Sequence, residues 1–240
     1  MENQAILRVL EKGRVKLQGQ FLDSSNATFF VACQLGEERL QAVYKPEAGQ
    51  SKLYDFEPAT LPRREVAAWL VCRAAGWDFV PPTILRKDGL PLGTGSLQLF
   101  VDHDPKMHYL ALEEKERFPF RKVALFDLVA NNADRKSGHI LFAEDKHWWA
   151  IDQALCFHVE PKLRTVIWDF IGEPFCEEEV SGLQRLQLSL GPESKLTQSL
   201  EGLLRKEEID ATRERLRALL AQRVFPEPDP GHRPVPWPLV

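Results

Sequence analysis

The chain has 240 residues, 44% of them hydrophobic, with a formal net charge of −4 and a pI near 5.9. That length can bury a full core, in one two-lobed domain or two small ones, and the mild negative charge gives no electrostatic reason to expect nucleic acid or an anionic membrane surface as the main partner. The amino terminus lacks the basic and apolar regions of a signal peptide, and no run reaches the roughly 18 apolar residues of a membrane span, so a soluble, cytoplasmic protein is expected.

The first hundred residues read mostly as strands and turns, with strands over 15–21, 27–34 and 39–44 forming an antiparallel meander. One helix interrupts it after Pro62, carrying Val66, Ala67, Leu70, Val71 and Ala74 at helical spacing and closed by Gly76. Strands over 83–85 and 96–101 follow, then a short link over 101–105. From Phe120 the character changes to helices: an apolar one over 123–129, then 162–170, 194–204 and 207–224. The last of these places Ile209, Leu216, Leu219, Leu220 and Val224 on roughly one stripe. The final sixteen residues hold six prolines, which predicts an extended or disordered end with no fold of its own. Cys33, Cys72, Cys156 and Cys176 are neither paired closely enough for zinc nor dense enough for a secreted disulfide framework, and reduced, packed thiols are expected. The division predicted is an N-terminal lobe over 1–101, a C-terminal lobe over 102–224 and a tail over 225–240.

The most informative stretch is Asn132-Ala133-Asp134-Arg135-Lys136-Ser137-Gly138-His139 and the hairpin that follows it. Runs over 139–142 and 148–151 read as strands around the turn 143–146. Antiparallel partners lie about 5 Å apart, so the return strand brings Asp152 beside His139, with Asp134 on the loop just before. Alone, either Asp is more often a turn former. Together, two carboxylates and an imidazole can place a nucleophile and hold a hard divalent cation. Alternation along 39–44 points Lys45 to the side of Val43, and Glu65, on the first turns of the helix after Pro62, is its expected ion-pair partner. The turn Asp23-Ser24-Ser25-Asn26-Ala27 can donate backbone N–H groups to phosphate, although it is no Walker loop. The other five histidines show no zinc spacing.

In this order, Ser24 and Asn26, Lys45, Glu65, the linking strand, Asp134 and Asp152 resemble the parts of a protein-kinase-like phosphotransferase. More specifically, Val43-Tyr44-Lys45-Pro46, Gly95-Ser96-Leu97-Gln98-Leu99-Phe100-Val101, Asn132-Ala133-Asp134-Arg135 and Ala150-Ile151-Asp152-Gln153-Ala154-Leu155-Cys156-Phe157 resemble the phosphatidylinositol 3-/4-kinase catalytic domain, nearest its type II phosphatidylinositol 4-kinase branch. The similarity runs from about Phe21 to Trp168, and the chain also looks like a compact bacterial group with this domain.

The resemblance implies an α+β, two-lobed protein-kinase-like fold: a β-rich N-lobe with one helix and a helical C-lobe with a catalytic hairpin. It implies that Lys45 contacts ATP phosphates and pairs with Glu65, and that Ser24, Ser25 and Asn26 lie in the loop over those phosphates. The backbone of Gln98, Leu99, Phe100 and Val101 would meet adenine, Asp134 would orient the acceptor hydroxyl, and Asp152, assisted by His139, would bind Mg2+ or Mn2+. Two departures stand out. Where the family has a metal-binding Asn five residues after the catalytic Asp, this chain has His139, and it lacks the palmitoylated cysteine cluster of the type II lipid kinases. The activity expected is therefore transfer of the ATP γ-phosphate to a hydroxyl of a protein or metabolite in preference to a phosphoinositide. The alternatives are a nucleotide-binding pseudokinase or scaffold, and a protein AMP-transferase.

Overall fold

A computed structural model describes residues 3–22, 26–51, 53–57 and 59–240. The chain starts with a helix the sequence reading did not include, α1 (Asn3–Lys12), which buries Ile6, Val9 and Leu10 along one stripe. The expected meander follows as β1 (Arg14–Gln20), β2 (Phe29–Leu35) and β3 (Glu38–Pro46). Next come α2 (Leu61–Ala74), β4 (Thr83–Arg86) and β5 (Gly95–Leu99), completing one antiparallel sheet in the order β1-β2-β3-β5-β4. The N-lobe thus has two helices, a correction to the one expected.

Strand alternation gives this sheet two distinct faces. Val31, Cys33, Ala42, Tyr44, Ile84 and Leu97 pack with α1 into one small core. The opposite face carries Phe30 across from Val43, Val43 across from Gln98, and Lys45 across from Ser96. Glycine is required where β5 meets β3, because a Cβ on Gly95 would lie 2.5 Å from the Lys45 carbonyl oxygen and 2.6 Å from the Tyr44 ring.

The second, larger core gathers α3 (Arg121–Ala130), the hairpin β6 (Ile140–Phe142) and β7 (Trp148–Ala150), α4 (Glu177–Ser189), α5 (Lys195–Glu201) and α6 (Lys206–Gln222). It also takes in Ala67, Ala68, Val71 and Cys72 of α2, so a helix inserted between strands of the sheet is packed into the helical lobe. Helix α4 was not anticipated; its acidic first turn and the Glu179 carboxylate, which accepts from the Cys176 N–H at 2.8 Å, are ordinary helix-start chemistry.

The helix expected over 162–170 does not form. The backbone there is spent on the loop of Asp134 instead: the Arg164 N–H donates to Asn132 O at 2.9 Å, the Arg135 N–H to Arg164 O at 2.9 Å, and the Val166 N–H to Arg135 O at 3.1 Å. The proline-rich tail is an extended strap across this same region. Pro234 O accepts from the Thr165 N–H at 3.0 Å and from the Trp168 indole at 3.1 Å, while Leu239 O accepts from the Ser137 N–H at 2.8 Å. Among the described residues, no helix is long and apolar enough to cross a membrane.

Candidate active site

Four segments converge between the sheet and the helical lobe. Lys45 ends β3 and reaches both Glu65, on the second turn of α2, and Asp152, just past β7. Its ammonium donates to Glu65 Oε1 and, at 3.0 Å, to Asp152 Oδ1. The second Glu65 oxygen accepts from the Gln153 N–H at 3.0 Å, so one buried carboxylate ties the sheet to the residue after Asp152. Burial alone would push the Lys45 pKa down, but the carboxylates of Asp152 and Glu65 overcome it and hold the ammonium above its ordinary value. Lys45 in turn holds the Asp152 carboxyl well below the usual range.

The hairpin delivers Asp152 as the sequence register predicted. Ile140 pairs with Ala150, and the Ile151 N–H donates to His139 O at 2.9 Å. His139 itself lies in a short helical turn, Ser137–His139, and not in the strand. Asp152 then adopts a left-handed backbone with φ of 58°, a conformation that Asp tolerates better than most residues.

Asp134 lies on the loop after α3, near enough to Asp152 to feel its charge. Asn132 Oδ1 accepts from the Asp134 N–H at 3.0 Å, and Asn132 Nδ2 donates to Asp127 Oδ1 at 2.9 Å. Burial raises the Asp134 pKa, opposed by Lys136, whose ammonium is 3.4 Å from Asp134 Oδ2. The spacing of the two acidic segments is set by Arg135. Fully buried, it donates to both oxygens of Asp127, to Ile151 O at 2.9 Å and to Gln153 Oε1 at 2.7 Å. Sequence reasoning assigned no role to Lys136, Arg135, Asp127 or Gln153. Lys136 was accessible to it, as a cation two residues after Asp134 in the same loop; the others depend on contacts that only the fold creates.

His139 Nε2 faces Asp152 Oδ2 at 3.5 Å, and its Nδ1 accepts from the Lys136 N–H at 3.3 Å. Burial lowers the ring's pKa to about 4, so it is neutral near pH 7. With Nδ1 turned to the Lys136 N–H, Nε2 is the nitrogen presented to Asp152.

A small pocket opens in front of Lys45, lined among others by Asn26, Thr28, Gln50, Leu61 and Asp152. Ser24 and Ser25 lie outside the described residues. Asn26 is on the rim, its Oδ1 accepting from the Ser51 N–H at 2.7 Å. The linking strand offers less to a ligand than its sequence implied. Gln98 and Leu99 lie within the sheet ladder, and the N–H groups of Leu99 and Phe100 are taken by Pro82 O at 2.9 Å and Gln41 O at 3.0 Å. The Val101 N–H donates to no group among the described residues.

Asp152 presents hard oxygen donors to the cavity, suited to Mg2+. No cluster of three or more His, Cys, Asp or Glu side chains among the described residues is arranged to hold a metal by itself.

No protein-family profile matches the chain. Among solved structures, it is similar to hydra Fam20 crystallised with sugar (TM-score 0.52, 16% identity, covering 92% of this chain and 87% of that one). It is also similar to a Golgi casein kinase (0.52, 13%, covering 91% and 73%) and to the Helicobacter pylori proinflammatory kinase CtkA (0.55, 11%, covering 90% and 94%). These likenesses establish the two-lobed, protein-kinase-like fold. In sequence, 95 residues are 35% identical to phosphatidylinositol 4-kinase gamma 4 of Oryza sativa subsp. japonica, spanning 34% of this chain and 17% of that protein. Protein Rv2133c of Mycobacterium tuberculosis is 38% identical over 265 aligned positions, covering 96% of this chain and 94% of its own. By that nearly end-to-end match, the chain belongs to the family of Protein Rv2133c.

Proposed function

We propose that this protein is an ATP- and Mg2+-dependent phosphotransferase that moves the γ-phosphate to a hydroxyl group. The observation that carries the reading is the Lys45 ammonium bridging Glu65 and Asp152, with Asp134, within reach of the Asp152 charge, on a loop braced by Arg135. Phosphoryl transfer asks a protein mainly for alignment and charge neutralisation, and these groups supply both. In this reading, residues 1–101 hold the nucleotide, 102–224 carry the chemistry, and 225–240 strap the acceptor side. Lys45 binds phosphate oxygens, with Asn26 on the rim beside them. Of the linking-strand groups, the Val101 N–H is the one left to meet the base. Asp134 orients the acceptor hydroxyl and takes its proton, and Lys136 beside it offsets charge on the transferred group. Asp152 holds the divalent ion, which when bound neutralises phosphate charge, and His139 fixes the Asp152 carboxylate through Nε2.

The partial likeness to a phosphatidylinositol 4-kinase, over 34% of this chain, supports kinship with that branch. The neighbour named as a casein kinase favours a protein acceptor. A second reading, a nucleotide-binding pseudokinase, is favoured by one feature, His139 standing five residues after Asp134 where the resembled family has a metal-binding Asn. Thermal melting with and without ATP plus Mg2+, run on wild type and Asp152→Ala while following ATP loss, separates the two. A shift accompanied by ATP loss, both abolished by the substitution, supports the kinase. A shift with ATP left intact supports the pseudokinase, and no shift at all removes the nucleotide-binding reading.

A further inference from the structure

The residue before Glu65 makes a second tie of α2 to the helical lobe. Arg64 and Glu208 are each only 2% exposed at the side chain. Arg64 Nη2 donates to Glu208 Oε1 at 2.5 Å, Nη1 donates to Cys156 O at 2.6 Å, and the guanidinium lies 4.8 Å from the centre of the Phe56 ring. The other Glu208 oxygen accepts from the Arg205 N–H at 2.9 Å, which fixes the carboxylate on the first turn of α6. Cys156 lies four residues beyond Asp152. One guanidinium therefore joins α2, α6 and the segment that carries the metal-binding acid.

A buried ion pair is poor evidence of stabilisation, because desolvating two charges offsets most of their attraction and apolar replacements of similar volume are often as stable. What it does impose is direction: five donors in a rigid fork are satisfied in one orientation of the helix. Since Glu65 is the next residue, that orientation determines where its carboxylate meets Lys45 and the Gln153 N–H.

We propose that Arg64 and Glu208 are positioning residues that orient α2, and through it Glu65, Lys45 and the Asp152 segment, from outside the nucleotide site. The proposal rests on the phosphotransferase reading for its effect on turnover but not for its effect on geometry. Two full-length variants test it: Glu208→Gln, which keeps shape and loses charge, and the paired Arg64→Met with Glu208→Leu, which replaces the ion pair by apolar packing. Each is followed by thermal melting, by amide hydrogen exchange at Gln153 without nucleotide, and by kcat and KM for ATP consumption.

The paired variant is expected to melt close to wild type. It should nonetheless lose about tenfold in Gln153 amide protection and about tenfold in kcat, with KM for ATP changed less than about threefold. Glu208→Gln is expected to move the same quantities in the same direction, and it serves as the test if the paired variant does not fold. A folded variant that keeps wild-type Gln153 protection overturns the proposal. If wild type consumes no ATP, the phosphotransferase reading fails by that result, while the exchange measurement still decides the clamp.

Discussion

Arg135 grips Asp127, eight residues earlier, through two nitrogens, with neither side chain exposed to solvent. The pair sits beneath the loop of Asp134 and reaches the Asp152 segment through Ile151 O and Gln153 Oε1. Removing one partner leaves an uncompensated buried charge, so Asp127→Ala is expected to cost about 3–5 kcal/mol of stability. Urea denaturation of the variant checks this, and a loss under about 1 kcal/mol would contradict the network as described.

Lys45, Asp134 and Asp152 should separate binding from transfer. Lys45→Met is expected to weaken the ATP-induced rise in melting temperature, because Asp152 and Glu65 lose their shared cation. Asp134→Ala should keep that rise and lose about 10²–10⁴-fold in transfer, the range for removing a positioned proton acceptor. Transfer assays with labelled γ-phosphate check the second claim; full activity in Asp134→Ala would refute the assigned chemistry.

His139→Asn tests whether the ring is a donor to Asp152 or a ligand. An Asn amide oxygen offers the metal a lone pair, which Nε2 does only when it carries no proton. Turnover at limiting Mg2+ is therefore expected to rise, and abolished turnover would mark the ring itself as essential.

The thiols should divide three to one. Burial pushes Cys33 up to about 11 and Cys72 up to about 12, and it raises Cys156 as well. Cys176 is exposed. A thiol reagent at pH 8 is expected to titrate one cysteine in the native protein and four in urea, since reaction requires an accessible thiolate. Rapid reaction of a second thiol without denaturant would count against the packing of the cores.

Acid should dissolve the Glu208 clamp with a definite sign. Burial tends to raise the Glu208 pKa, but Arg64 and the Arg205 N–H more than offset it, leaving the folded value below the ordinary 4.5. A depressed carboxyl contributes stability that is fully present above about pH 4.5 and lost as pH falls through its folded pKa. The stabilities of wild type and Glu208→Gln are thus expected to differ at pH 6 and to converge as pH falls below about 4.5. Denaturant melts across that range would show a constant gap if the carboxylate were not ionised in the fold.

The hairpin and its acids were legible in sequence because strand register is local: once 139–142 and 148–151 are strands, Asp152 has to return beside His139. Lys45 was legible for the same reason, through alternation. The segment 162–170 misled because Leu163, Val166, Ile167 and Phe170 fall at helical spacing, while its amide groups bond the loop of Asp134, a long-range demand that overrides periodicity. The unavailability of the Leu99 and Phe100 N–H groups is likewise invisible until their acceptors, Pro82 and Gln41, are brought alongside.

Lys45 and Glu65 belong to different bodies of packing. Lys45 rides on a sheet whose apolar side is sealed by α1, while α2 buries Ala67, Ala68, Val71 and Cys72 in the core of the other lobe. Helix α2 also packs against β4 and β5 of that sheet, so it is shared between the two cores, and the Lys45 ammonium joins the sheet to it and to the segment after β7. One cation thus holds three elements together, and replacing it would loosen the sheet, α2 and the Asp152 segment from one another in a single step.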